Sequence, residues 1–339
     1  MSRGFSAVMD RARLRLDQCL KRHAGCSPSA DSLLPTRVLD LDSADPNSIS
    51  LRESQAERAR YICLSYCWGR SEFLKTTRES PECHKRGISL AELPQSFYDA
   101  VRIVRALGVR YFWIDSLCII QNDVDDADWK RESGRMADVF RTSYLTVALT
   151  WAVSANDGCF APPVYRETHI APFAMELVPH FSQQATVKNS SHFPVLARGW
   201  VYQECMLSPR ILQFGRQERL WECRGHRTCE CGQASNSVSE MSKDKFHEVT
   251  FDDDDYVQCL WRRMVVEHSN LQLTYPTDRP HALSGLAEEV RRHTKQEYMA
   301  GHRRNTLVQD MCWYRPERPQ HTTAVRSRPA KADLVLGIG

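Results

Sequence analysis

The chain has 339 residues with 42% hydrophobic and 26% charged content, ordinary globular usage that allows a substantial buried core. A net charge of +3 gives no basis for a nucleic-acid or membrane-surface partner, and no apolar run approaches the roughly 20 residues that span a bilayer. The thirteen cysteines, an odd number, fall largely inside apolar runs (Cys63, Cys118, Cys205). That pattern predicts reduced thiols in a cytoplasmic protein, not a disulfide framework.

Residues 1–55 read as a lead-in with little tertiary signal. A weak helix carries Leu14, Leu16 and Leu20, and a short hairpin follows from Leu34–Ser43 and Ser48–Ser54 around Asp45-Pro46-Asn47. YICLSYCWG (61–69) is a buried strand whose end is broken by Ser65, Tyr66 and Gly69. Residues 70–90 are polar and predict loop with short turns. LPQSFYDAVRIVRALG (93–108) is the clearest helix, with Phe97, Ala100, Val101, Val104 and Leu107 at helical spacing and Gly108 as its stop. It leads almost without a loop into YFWIDSLCIIQNDVDDADWKRESGRM (111–136), a buried strand, a polar loop and the start of a helix. Such αβ succession is the pattern of a parallel sheet. SYLTVALTW (143–151) is another buried strand, 152–195 is irregular, and RGWVYQECMLSPRILQFG (198–215) is a short helix, a Ser-Pro stop and a strand. Residues 216–255 hold a cysteine-bearing and acidic loop region. Residues 256–315 turn helical, and the Pro/Arg-rich stretch 316–339 has too little apolar content for a core and reads as disordered.

Carboxylates stand out in three places. With Trp129 at 0° on a continuous helix, Met136, Val139 and Phe140 define an apolar stripe, and Glu132 falls inside it at roughly 300°. A carboxylate on a buried face is either paired with an arginine or put to use. Asp115 ends a strand, where it serves as a loop cap or faces a ligand crevice. Glu204 belongs either to a pocket or to a structural pair with Arg198.

Three segments together resemble the fungal heterokaryon incompatibility (HET) domain. They are residues 61–69, residues 93–136 with Asp128, Trp129, Glu132, Arg135 and Met136, and Arg198-Gly-Trp-Val-Tyr-Gln-Glu204. The resemblance assigns 56–215 to the domain. It implies a TIR-like (flavodoxin-like) parallel sheet flanked by helices, with a mostly helical C-terminal extension. It further implies an effector of programmed cell death in self/non-self recognition. Self-association and an incompatibility partner protein belong to the same expectation, without nucleic acid or a membrane span. TIR domains that hydrolyse NAD carry a strand-end Ser-aromatic-x-Gly and a Trp-Cys-x-x-Glu type motif. Ser65, Tyr66, Trp68 and Gly69 are similar to the first, with one residue extra. Trp129-Lys130-Arg131-Glu132 is similar to the second, with Lys130 in the place of the Cys and the Glu one residue closer. Carried over, the resemblance makes Glu132 the candidate catalytic residue, with Asp115 a second candidate. Ser65, Tyr66, Trp68, Gly69 and Trp129 become substrate contacts, and Arg198, Trp200, Gln203 and Glu204 become structural or pocket residues. NAD enters as substrate and no cofactor is required. The alternative is a non-catalytic TIR-like module that signals by self-assembly.

Cys223, His226, Cys229 and Cys231 are zinc-type ligands, but four ligands within nine residues would have to wrap an ion very tightly. Reduced thiols in a turn are the favoured reading. No P-loop or G-x-G-x-x-G is present.

Overall fold

The computed structural model describes residues 3–26, 31–162, 193–216, 218–230, 243–248, 254–295, 298–299 and 302–310. Cys231, most of the expected irregular segment 152–195 and the tail 316–339 lie outside them. In chain order the elements are α1 (Arg3–Arg22), β1 (Ser32–Leu33), β2 (Arg37–Asp40), β3 (Ser48–Glu53), β4 (Arg58–Ala59) and β5 (Tyr61–Ser65). Next come α2 (Pro81–Arg86), β6 (Ile88–Ser89), α3 (Gln95–Ala106), β7 (Tyr111–Trp113), α4 (Asp115–Cys118), α5 (Ala127–Ser133), α6 (Met136–Thr142) and β8 (Leu145–Ala148). Then follow α7 (Gly199–Leu207), β9 (Arg210–Phe214), β10 (Arg219–Cys223), β11 (His226–Cys229), α8 (Lys243–Glu248), α9 (Asp254–Ser269), α10 (Arg279–Thr294), β12 (Tyr298–Met299), β13 (His302–Arg303) and α11 (Leu307–Asp310).

Nine strands form one sheet in the order β11-β10-β9-β8-β5-β7-β2-β3-β6. Its centre is parallel: β5 pairs with β7 and β8, and β8 with β9. Numbered along the chain, these four strands lie in the order 2-1-3-4. Every residue of β5, β7, β8 and β9 is buried, as expected of strands covered on both faces. The expected parallel sheet is therefore mixed. β2, β3 and β6 extend it antiparallel on one side, and β10 and β11 on the other. For three of these pairs the reason is connection length: the links from β2 to β3, β9 to β10 and β10 to β11 are too short for a parallel crossover, which needs about a dozen residues or more.

The apolar spacing of α3 buries Phe97, Ala100, Val101, Ile103 and Val104, and Gly108 takes the left-handed conformation that closes the helix, with φ +71°. The lead-in is more than a weak helix. Phe5, Val8, Met9, Ala12, Leu16 and Cys19 of α1 face the main core, while Leu14 and Leu20 are exposed. The stretch 70–90 is loop and turn as far as Ser80, as expected, and then adds α2 and the edge strand β6. The helix expected from Trp129 onward is two helices. α5 ends at Ser133 and α6 begins at Met136, with Gly134 and Arg135 between them. Downstream, α9 and α10 form a second core with Met206 and Leu207 of α7, so the helical extension docks on the sheet domain.

Candidate functional site

Strand order reverses across β5 and β8, since the next strand in sequence after β5, among the parallel four, lies on its other side. In open α/β sheets the crevice at the carboxyl ends of such strands is where ligands bind. Ser65 ends β5 opposite Ala148 of β8. Asp115 follows β7, and α7, in the connection from β8 to β9, brings Glu204.

These residues are linked. The Trp68 indole N–H donates to Asp115 at 2.9 Å, and the Ser116 backbone N–H donates to the same carboxyl at 2.7 Å. The Tyr66 hydroxyl donates to Ser116 Oγ at 2.8 Å. Arg198 donates to the Tyr66 carbonyl. Glu204 is buried, and burial lifts its carboxyl to about 7; the Ser65 hydroxyl and the Arg198 charge oppose the rise and Asp115 adds to it. Ser65 Oγ is buried without a geometrically complete hydrogen bond, though it approaches Glu204 closely enough to favour the ionised form. Asp115 is half-buried, and desolvation raises it too, against Trp68, Arg198, the Ser116 N–H and Tyr66. Burial likewise raises the Cys67 thiol to about 11, which keeps it protonated. Arg198 makes no direct ion pair with Glu204. It acts on both carboxyls from a distance while its guanidinium holds the strand-end backbone.

The site therefore offers two carboxyls with different surroundings, one enclosed and one at the rim beside an indole. Such a pair can divide proton transfer and charge stabilisation between them. Trp68 is half-buried, edge-on to Phe73 at 5.6 Å, with the Lys75 ammonium 5.4 Å over its ring. Gly69 has φ +76°, and a Cβ there would lie 2.5 Å from that of Ser154, so the strand-end turn is packed against the 153–154 backbone.

Glu132 belongs to a separate network at the same edge of the sheet. Its two oxygens accept from Thr36 Oγ1 at 3.0 Å each, and Arg131 Nε donates at 3.0 Å. Arg135 stands 3.8 Å away. Next to it, buried Asp128 takes Arg37, Arg131 and, at 2.8 Å, the Ile120 N–H. Desolvation pushes Asp128 up, but these partners win and hold it below the usual carboxylate range. Arg37 also donates to the Cys118 carbonyl at 2.7 Å. Glu132 is buried, as the helical stripe predicts, yet α5 ends one residue later, so the stripe is not one continuous helix face. Sequence reasoning missed Arg37, Thr36 and Asp128 as a set; only the Asp before Trp129 was visible as a motif residue.

The remaining expected residues divide. Trp129 meets Trp200 edge to face at 6.5 Å, and the Trp200 N–H donates to Asp278 at 3.3 Å, so both serve the junction with the helical extension. Gln203 points the same way and accepts the Gly285 N–H at 2.7 Å. Cys223 and His226 are cross-strand partners in the β10–β11 hairpin, whereas Cys229 pairs with Leu220. Side chains alternate faces along a strand, so Cys229 lies on the opposite face from Cys223 and His226, and the tight four-ligand wrap is excluded for them. Two cavities, of about 360 and 520 Å³, lie away from Glu204. One is lined by His23, Cys26 and Arg224, and the other by Arg52, Glu57 and Lys85.

No curated protein and no solved structure matches the chain. Residues 61–204 match the family model described as heterokaryon incompatibility protein (HET), a segment that begins at the first residue of β5 and ends at Glu204. The chain thus carries a HET domain, which implies a function of the heterokaryon incompatibility type.

Proposed function

We propose that the protein is a heterokaryon incompatibility effector that promotes programmed cell death by hydrolysing NAD, or a related nucleotide, at the Asp115–Arg198–Glu204 cluster. The observation that carries this reading is Glu204. Its carboxyl is buried and raised to about 7, beside Asp115 and Arg198, at the point where strand order reverses. The 2-1-3-4 order of the parallel strands is also that of the first four strands of the flavodoxin-like arrangement, which supports the TIR-like relation.

The chemistry asks little of the protein. The bond between nicotinamide and ribose breaks with its electron pair going to the ring nitrogen, which neutralises the pyridinium. Water adds to the oxocarbenium carbon and loses a proton. Asp115 suits stabilisation of the developing positive charge, and Glu204 suits acceptance of the proton. Trp68 offers a stacking wall and Arg198 a phosphate partner. Glu132 fits less well, because its oxygens already accept from Thr36 and Arg131. Glu204 is buried while Asp115, Trp68 and Arg198 are half-buried, so activity is expected once self-assembly opens access to it.

The test is nicotinamide release from NAD by the purified full chain, dilute and clustered. Clustered wild type should release it, and Asp115→Asn should lose at least about 100-fold. The same enclosure favours a second reading, a non-catalytic module acting by assembly alone. That reading wins if clustered wild type is inert while Asp115→Asn and wild type kill cells equally.

A further inference from the structure

Cys19 lies in the last turn of α1, His23 follows just past its end with its N–H donating to the Cys19 carbonyl at 3.0 Å, and Cys26 closes the short 3-10 turn that comes next. Cys223, at the end of β10, is brought to the same place from 200 residues away in sequence. Cys19, Cys26 and Cys223 are each 1% exposed, and His23 is half-buried. The three sulfurs and one ring nitrogen all lie within 4.8 Å of one another, and Cys223 Sγ is 3.3 Å from His23 Nδ1.

We propose that Cys19, His23, Cys26 and Cys223 form a structural zinc site that fastens the N-terminal helix to the β10–β11 hairpin. In a tetrahedral site, Zn–S of about 2.3 Å and Zn–N of about 2.0 Å separate the ligand atoms by roughly 3.5–3.8 Å. The observed spacing needs only small side-chain adjustments to reach that geometry. Three thiolates and an imidazole are a soft donor set that selects zinc over calcium or magnesium. Four protein ligands leave no open position, the mark of a structural site and not a catalytic one.

Backbone N–H groups of Arg224 and Gly225, in the hairpin turn after Cys223, reach Cys26, and that of Gly225 also reaches Cys223, so the turn supplies neighbours that orient the sulfurs. The Arg224 side chain ties the turn to the chain between His23 and Cys26, donating to the Gly25 carbonyl at 3.1 Å. The His226 ring lies tilted to that of His23, 6.1 Å away, as a neighbour outside the ligand set. The site adds a fastening at the end of α1 to the apolar contacts that the rest of the helix makes with the main core.

The experiment is metal analysis of the full chain purified under reducing conditions without chelators, followed by cobalt exchange. About one zinc per chain is expected, with cobalt giving the intense visible bands of a tetrahedral thiolate site. Cys223→Ser should lose the metal, His23→Cys should keep it, and Cys83→Ser, at an exposed cysteine outside the set, should also keep it. Folded wild type with little bound zinc and no cobalt bands overturns the proposal, as does full zinc in Cys223→Ser. If Cys223→Ser fails to fold, wild-type stoichiometry and the cobalt spectrum decide alone.

Discussion

Glu204 and Asp128 show how burial and partners set a carboxylate's behaviour. Glu204 titrates from 4.5 up to about 7 in the folded chain. The folded state therefore holds its proton more tightly than the unfolded state. Below pH 4.5 the group costs nothing; between 4.5 and 7 stability falls as pH rises, by about 3 kcal/mol in all. Glu204→Gln should remove this slope, and urea denaturation across pH 5–8 measures it. An unchanged slope in the variant would show that Glu204 titrates normally. Asp128 is the opposite case, a buried anion held by Arg37 and Arg131. Arg37→Ala should cost about 3 kcal/mol, because Asp128 loses a buried partner, while Arg37→Met with Asp128→Leu should recover much of that. Equal losses in the single and double variants would exclude the pairing account. These partnerships were not legible in the sequence. Thr36 and Arg37 lie more than ninety residues from Glu132 and Asp128, and no local pattern announces them.

At the scale of elements, the sequence was read best where one pattern decided the outcome. β5, β7 and β8 are short, continuously apolar runs, and α3 has both its apolar stripe and its terminal Gly108. The stretch from Trp129 to Phe140 reads as one helix because its apolar residues keep helical spacing across the break after Ser133, and that spacing does not reveal the break. β6, β10 and β11 have no strong alternation of their own and owe their pairing to neighbours. The junction between α7 and α10 is a second such case. Gly285 donates its N–H to Gln203, and a Cβ there would sit 2.2 Å from Ala137 Cβ and 2.6 Å from Gln203 Oε1. Gly285→Ala should therefore destabilise the chain by about 2 kcal/mol and loosen the extension, seen as earlier proteolysis of α9 and α10. A variant as stable and as protease-resistant as wild type would mean that the two helices are not docked this closely.

For the whole molecule, the sheet runs on past both ends of the matched segment 61–204, into β2 and β3 on one side and β9 to β11 on the other. The HET domain is thus the centre of a larger folded unit, with α1 packed on its core and the helical extension docked through Trp200 and Gln203. No helix among the described residues is long and apolar enough to cross a membrane. What was legible of the site was its edge of the sheet: Ser65, Asp115, Arg198 and Glu204 all lie in the three motif segments. Their ranking was not legible, since only the fold encloses Glu204 and gives Glu132 its hydroxyl and arginine partners. The most direct measurement is nicotinamide release by clustered protein carrying Glu204→Gln or Glu132→Gln, compared side by side. The account predicts that Glu204→Gln loses at least about 100-fold while Glu132→Gln stays within about tenfold of wild type. Loss confined to Glu132→Gln would contradict it.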